Sequence, residues 1–289
     1  MTEMKYTLLQ DVERVSHFAL ESGALQSIDT RYEQIDEHGT PFLLRTLDNL
    51  QRKDEAAQRL KKAGDTRHNP FKPYDEALYV RDLGEHHVCL LNKFNVVDKH
   101  LLVVTRELES QQDKINKKDF NALAMVMQEI DGLAFYNGGK IAGASQPHKH
   151  LQLIPIPMEP FAELPFADAL NKLKPGHPNR SPDLKFRHAG MQLPKGIFDN
   201  AERAAEVLVT IYNQLREELE ISDDGIQTTT PYNLLITRKW MLMVPRSEES
   251  FEGISFNALA FVGALLVRSD EDGEKLKANG LMNTLVGVC

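Results

Sequence analysis

The chain has 289 residues, with 34 lysines and arginines against 42 aspartates and glutamates, and so a formal charge of −8. A content of 42% apolar and 26% charged residues is ordinary for a globular protein and excludes disorder, collagen and coiled coil. The acidic balance weighs against a general nucleic-acid binder, and Cys89 and Cys289 provide neither a disulfide framework nor a CxxC zinc pair. The start of the chain has no signal-like apolar block, and no apolar run approaches the roughly 18–20 residues of a membrane helix. A cytoplasmic protein is expected, without membrane or nucleic-acid partners.

In chain order, Leu8, Val12, Val15 and Ala19 have helical spacing. Residues 27–46 read as a hairpin turning at Glu37-His38-Gly39. Asp48 to Lys62 reads as a charge-rich helix, followed by a loop from Gly64 to Pro70. His87 to Leu91 and Leu101 to Thr105 read as buried strands joined by a turn over Asn92 to His100. Phe120, Leu123, Met127 and Ile130 mark an amphipathic helix. Asn137-Gly138-Gly139 reads as a loop, and His148 to Ile156 as an alternating strand. Lys174 to Pro182 is the clearest Pro-rich break and is placed on the surface. Beyond it, Ala201 to Glu220 reads as a helix, Asn233 to Thr237 and Trp240 to Val244 as strands, and Phe256 to Val267 as an apolar helix. A short internal similarity relates Val104–Ser110 to Val244–Ser250, each copy after a strand pair and before an apolar helix.

The most informative segment is Gly143-Ala144-Ser145-Gln146-Pro147-His148-Lys149-His150-Leu151-Gln152. With a side-chain period of two, His148, His150 and Gln152 share one strand face, and Lys149, Leu151 and Leu153 share the other. Three readings stand at this point. The face is a polar surface against solvent; or it is a metal site, although Gln152 is a poor zinc ligand; or a neutral imidazole serves as a nucleophile for phosphoryl chemistry. For the third, the small loop before the strand supplies backbone N–H groups for an anion. An amide at Gln152 can donate to a phosphoryl oxygen.

His148-Lys149-His150-Leu151-Gln152 after Gly143 to Gln146 resembles the active strand of the diadenosine tetraphosphate phosphorylase (ATP adenylyltransferase) family, in the transferase branch of the histidine-triad superfamily. Asn69-Pro70-Phe71, His87 to Asn95, Tyr232 to Thr237 and Val244 to Ser247 also resemble it, so that the likeness runs from about Phe42 to the C-terminus. The resemblance implies an α/β (α+β) fold: a histidine-triad-like antiparallel sheet with packed helices, whose two degenerate related halves form one compact unit. It places an N-terminal histidine-triad-like catalytic domain at 1–160 and a C-terminal ATP adenylyltransferase domain at 161–289.

The implied activity is reversible phosphorolysis of diadenosine tetraphosphate to ATP and ADP. His150 would attack the α-phosphorus and hold AMP until inorganic phosphate takes it; Gln152 would hold the phosphoryl group, and His148 would orient His150. Substrate contacts carried over by resemblance are Lys53, Asn92, Lys93, Asn137, Gly143, Ala144, Ser145, Gln146, Gln152, Asn257, Ala258, Leu259, Ala264 and Arg268. From their own surroundings, Lys53 reads as a solvated helix charge, Asn137 as a turn residue and Arg268 as a charge in a last helical turn. Arg268 stands where relatives often carry Lys, and Ala264 where a larger apolar residue is common. No protein metal site and no tightly bound cofactor are expected; a divalent cation (Mg or Mn) would accompany the polyphosphate. A monomer is expected. The rival functions are a sugar-1-phosphate nucleotidyltransferase, whose family favours Pro where Lys149 stands, and a non-catalytic dinucleotide-binding protein.

Overall fold

The computed structural model describes residues 6–48, 69–221 and 225–289. The chain opens on α1 (Leu8–Glu21), started by a capping box between Thr7 and Gln10 and burying Leu8, Val12, Val15 and Ala19. Next comes the hairpin of β1 (Thr30–Glu37) and β2 (Thr40–Leu47). Its two-residue turn, His38-Gly39, has positive φ at both positions, which matches the twist of the paired strands. The helix expected after Asp48 and most of the following loop, Lys53 included, lie outside the described residues.

One antiparallel sheet of eight strands forms the centre of the molecule. Its strands are β3 (Tyr79–Leu83), β4 (His87–Leu91), β5 (Leu101–Thr105), β6 (Gly132–Gly138), β7 (His150–Pro155), β8 (Ala189–Gln192), β9 (Tyr232–Ile236) and β10 (Trp240–Pro245). Their order is β3-β4-β5-β7-β6-β9-β10-β8. Strands from both sides of residue 160 thus meet in one sheet at the β6–β9 pair, where Asn137 stands opposite Asn233.

One face of this sheet packs against α1, α2 (Lys117–Glu129) and α4 (Ala201–Glu218), with α3 (Ala167–Leu170) between them in sequence. The other face carries a second core built largely from the C-terminal third and the hairpin. There β11 (Ser250–Phe251) and β12 (Ile254–Ser255) make a small ladder, and β13 (Ala264–Val267) pairs in parallel with β2. Then α5 (Asp270–Asn279) and α6 (Leu281–Val286) close the chain. No helix among the described residues is long and apolar enough to cross a membrane.

Two sequence expectations are corrected. Asn137 and Gly138 are strand residues rather than loop residues. The run Gly132–Gly138 is buried on both faces, so it shows no alternation for a period-two reading to detect. Phe256 to Val267 is not a helix. Asn257 caps a 3-10 turn over Ala258–Val262, and Gly263 at φ 87° breaks it before β13. A side chain at Gly263 would meet the Phe166 ring at 2.7 Å, so the bend is required by packing as well as by backbone shape. Arg268 consequently follows a strand and not a last helical turn. The apolar helix expected after the second copy of the internal similarity is absent for the same reason.

Candidate active site

The two sheet faces decide where the histidines go. Leu151 and Leu153 join the helix-side core with Leu101, Val103 and Ala134. Alternation then sends His150 and Gln152 to the opposite face. On that face β6, β9 and β10 are covered by Phe256 and Phe261. Val88, Leu90, Leu102 and Val104 of β4 and β5 are covered by Phe71, Tyr74 and Tyr79. Strand β7 lies between these two groups of strands, so His150 and Gln152 occupy the seam between two apolar covers. The Phe71 ring stands 5.2 Å from the His150 ring across this seam.

His150 is buried and its Nδ1 lies 2.8 Å from the backbone oxygen of His148. A carbonyl only accepts, so Nδ1 carries the proton and Nε2 keeps its lone pair. Burial pushes the imidazole pKa down from 6.5 to about 4, which keeps the ring neutral near pH 7. The His150 backbone N–H donates to Gln111 Oε1 at 2.8 Å. Gln111 Nε2 in turn donates to the backbone oxygens of His150 and Asn137. The β6–β7 ladder ends at Phe135 and Gln152, and the Gln111 amide bridges the gap beyond it.

His148 uses both ring nitrogens. Nε2–H donates to the Thr105 backbone oxygen at 2.8 Å, and Nδ1 accepts from Asn69 Nδ2 at 2.8 Å. On the opposite strand face Lys149 is fully buried, with Nζ 2.6 Å from Asp119 Oδ2 and also bonded to Glu109. Asp119 accepts from His87 Nε2 and from the Asn116 N–H that starts α2. Burial alone would raise the Asp119 carboxyl, but the His87 hydrogen bond and the Lys149 charge outweigh it and hold it below its usual value. The histidine strand is therefore tied from behind to a helix start.

Around the seam, two chains of amides converge. Asn92 Nδ2 reaches His100 Nδ1 at 3.1 Å, and His100 Nε2 reaches Gln152 Oε1 at 3.0 Å. Burial pushes His100 down to about 4 as well. On the other side, buried Arg246 donates to Asn233 Oδ1, and Asn233 Nδ2 donates to Asn137 Oδ1 and to the Ala142 oxygen. Asn137 Oδ1 also accepts the Ala258 N–H. The oxygen of Asn137 is fully engaged, and its N–H2 is the half available to a ligand.

Gly143, at φ 85°, brings the 143–146 loop onto the C-terminal segment. A Cβ there would stand 2.5 Å from the Phe256 oxygen and 2.9 Å from Asn257 Cα. The structure thus brings together His148, His150, Gln152, Asn137, the loop Gly143-Ala144-Ser145-Gln146, and Asn257-Ala258. Leu259 follows, its N–H accepted by Asn257 Oδ1. Lys93 is at the end of β4 beside Asp75, 3.6 Å away. Ala264 lies in β13 of the three-stranded sheet rather than in the sheet bearing His150, and Arg268 directly follows that strand. Among the described residues no group of three or more His, Cys, Asp or Glu stands together as a metal site.

Gly143→Ala is expected to destabilise the protein by about 1–3 kcal/mol, from a left-handed residue with no room to shift. Gly84→Ala, also at positive φ but with nothing within 4 Å, is the control and should cost less. Urea unfolding of the two variants checks this; equal costs would contradict a role for close approach.

The family profile for the Ap4A phosphorylase N-terminal domain matches residues 1–172, and that for the ATP adenylyltransferase C-terminal domain matches 182–289. The chain belongs to the Ap4A phosphorylase family. It is a nucleotidyltransferase. Diadenosine tetraphosphate phosphorylase 2 of Saccharomyces cerevisiae is 32% identical over 238 residues, 72% of this chain and 71% of that one. The crystal structure of the yeast Ap4A phosphorylase Apa2 superposes with a TM-score of 0.80 at 25% identity, covering 98% of this chain and 94% of that chain. The same yeast enzyme in complex with AMP gives 0.80 at 26% identity, covering 98% and 96%.

Within this Ap4A phosphorylase fold, reasoning from sequence missed the residues that hold the site together. Gln111, His100 and Thr105 received no role. Asn69, Asn233 and Arg246 lay in segments that resembled the family, but nothing assigned them a function. Only Asn233 had a one-dimensional signal, that of a polar residue inside the otherwise apolar run Tyr232-Asn233-Leu234-Leu235.

Proposed function

We propose that the protein cleaves diadenosine tetraphosphate with inorganic phosphate, giving ATP and ADP, by way of an AMP–His150 intermediate. The observation that carries this reading is the His150 tautomer, with Nδ1–H given to the His148 oxygen and Nε2 left with its lone pair. Nε2 forms a bond to the α-phosphorus, and the bond from that phosphorus to the leaving ATP oxygen breaks, with its electron pair going to ATP. The positive charge that develops on the ring is stabilised by the carbonyl on Nδ1. A phosphate oxygen then attacks the same phosphorus, the P–N bond breaks, and ADP leaves. The same steps in reverse join ATP and ADP.

Gln152 donates its N–H2 to the phosphoryl oxygens, and His148 orients the strand. Asn92, Lys93, Asn137, the Gly143–Gln146 backbone and Asn257-Ala258-Leu259 contact the polyphosphate and the nucleosides, with Lys53, Ala264 and Arg268 completing the substrate contacts. A divalent cation, Mg or Mn, enters with the polyphosphate and neutralises part of its charge.

The test is to incubate the protein with diadenosine tetraphosphate, with and without phosphate, and resolve the products. Equimolar ATP and ADP that appear only with phosphate support the reading. Two ADP, or AMP plus ATP with phosphate irrelevant, would overturn it.

A pH dependence follows from the burial of His150. Its folded pKa of about 4 lies below the ordinary 6.5, so the nucleophile stays unprotonated as pH falls from 7. The acid limb of ATP release in a single turnover without phosphate should fall below pH 6, not at 6.5. The linkage has the opposite convenience. Only the unfolded chain takes up the proton between 6.5 and about 4, so stability present above 6.5 declines through that window. Circular dichroism at each pH separates the two effects. A limb centred at 6.5 in folded protein would contradict the buried neutral nucleophile.

A further inference from the structure

Gln152 has an amide whose two ends are nearly the same shape and chemically opposite. With N–H2 toward a phosphoryl group it attracts; rotated by half a turn, its oxygen would repel. Shape cannot choose between the two, so a hydrogen bond of fixed polarity must.

The polarity begins at a backbone group that can only donate. The Phe94 N–H points to Asn92 Oδ1 at 3.4 Å. Asn92 is thereby left with Nδ2 toward His100 Nδ1, which becomes an acceptor. A neutral imidazole has one N–H, now on Nε2, and that N–H is given to Gln152 Oε1 at 3.0 Å. Each step is decided by the one before it. The scaffold is itself held, since the Asn92 N–H donates to the His100 oxygen at 2.8 Å, closing the β4–β5 connection. The His100 ring is buried and packs against Phe135 with centroids 5.8 Å apart.

We propose that His100 is a positioning residue that fixes the Gln152 amide with its N–H2 toward the reacting phosphoryl group, and that Asn92 sets its polarity. The proposal rests on the reading of Gln152 as a phosphoryl donor. It makes the rate of transfer depend on a residue outside the substrate contacts proposed above.

The experiment measures kcat and KM for diadenosine tetraphosphate with phosphate. It compares the wild-type chain, His100→Leu, His100→Gln, Gln152→Ala and the double variant His100→Leu/Gln152→Ala. His100→Leu should lower kcat about tenfold or more, with KM changed by less than about threefold. His100→Gln, whose own Nε2–H2 can donate to Gln152 Oε1, should recover to within about threefold of wild type. In the Gln152→Ala background, His100→Leu should cost less than about twofold, because the amide it orients is gone.

The proposal is overturned if His100→Leu keeps the wild-type kcat, or costs as much with Gln152 absent as with it present. If His100→Leu does not fold, the pair His100→Gln and His100→Asn decides. The shorter Asn amide does not reach Gln152 Oε1, so it should lose kcat where Gln does not; equal rates overturn the relay. A wild type without phosphorolysis would instead sink the functional reading. An active wild type with a slow Gln152→Ala and an unaffected His100→Leu would sink the relay alone.

Discussion

His150→Ala is expected to lower adenylyl transfer by about ten-thousand-fold or more, the largest effect of any single change, because it removes the atom proposed to form the covalent bond. The fold should survive. The ring gives one side-chain hydrogen bond, to the His148 oxygen, and the backbone N–H to Gln111 remains when the ring is lost. The measurement has two parts. Turnover with phosphate gives the rate, and mixing with labelled dinucleotide without phosphate, followed by alkaline denaturation, reads AMP retained on the chain. Wild type should retain label and the variant none. A variant that still retains label would mean that another group is the nucleophile. His148 is the poorer candidate, since Thr105 and Asn69 occupy both its nitrogens.

Arg246→Leu is expected to cost about 3–5 kcal/mol of stability, the largest structural effect. All five N–H groups of this buried guanidinium are spent: on Val288, on Asn233 and Phe256, and on Glu248 and Glu249. All five acceptors are neutral oxygens, four backbone carbonyls and the Asn233 amide, and burial pushes the guanidinium pKa down to about 10. Leucine would leave the buried oxygens of Val288, Asn233 and Phe256 without their donor. Arg246→Lys should recover only part of the loss, because one ammonium with three donors cannot replace the planar fork. Guanidinium unfolding followed by fluorescence of Trp240 measures both. A loss below about 1 kcal/mol for Arg246→Leu would show that the carbonyls find other partners.

Much of the architecture was legible where one periodicity governed a segment. β4 and β5 lie at the residues read for them, α1 buries the four apolar positions read for it, α2 carries Phe120, Leu123 and Met127 with Ile130 just past its end, and the histidine strand put His150 and Gln152 on one face as alternation requires. Legibility failed where burial removed the pattern. β6 is buried throughout, and only Asn137-Gly138-Gly139 at its end was read, as a loop. It failed again at Gly263, where an apolar stretch turns from 3-10 to strand to avoid Phe166.

The site divides in the same way. A motif of consecutive residues can be seen along the chain, so the histidine strand and its loop stood out. The residues that orient it act across strands: Gln111 on His150, His100 on Gln152, Arg246 through Asn233 on Asn137. Such pairs have no sequence spacing to reveal them. Lys149 illustrates the limit from the other side. Its place on the face away from His150 was foreseen, but its burial against Asp119 depends on where α2 begins.

The parallel pairing of β13 with β2 also fixes an order of events as the chain is made. Leu265 meets Leu44 from nearly the opposite end of the chain, a contact that closes a very long loop. Until that late strand emerges, the β1–β2 hairpin has an open edge, and Phe42 and Leu44 have no finished core to enter. The β1–β2 hairpin is therefore secured only once β13 has been made, and its sticky edge must be kept from other chains until then.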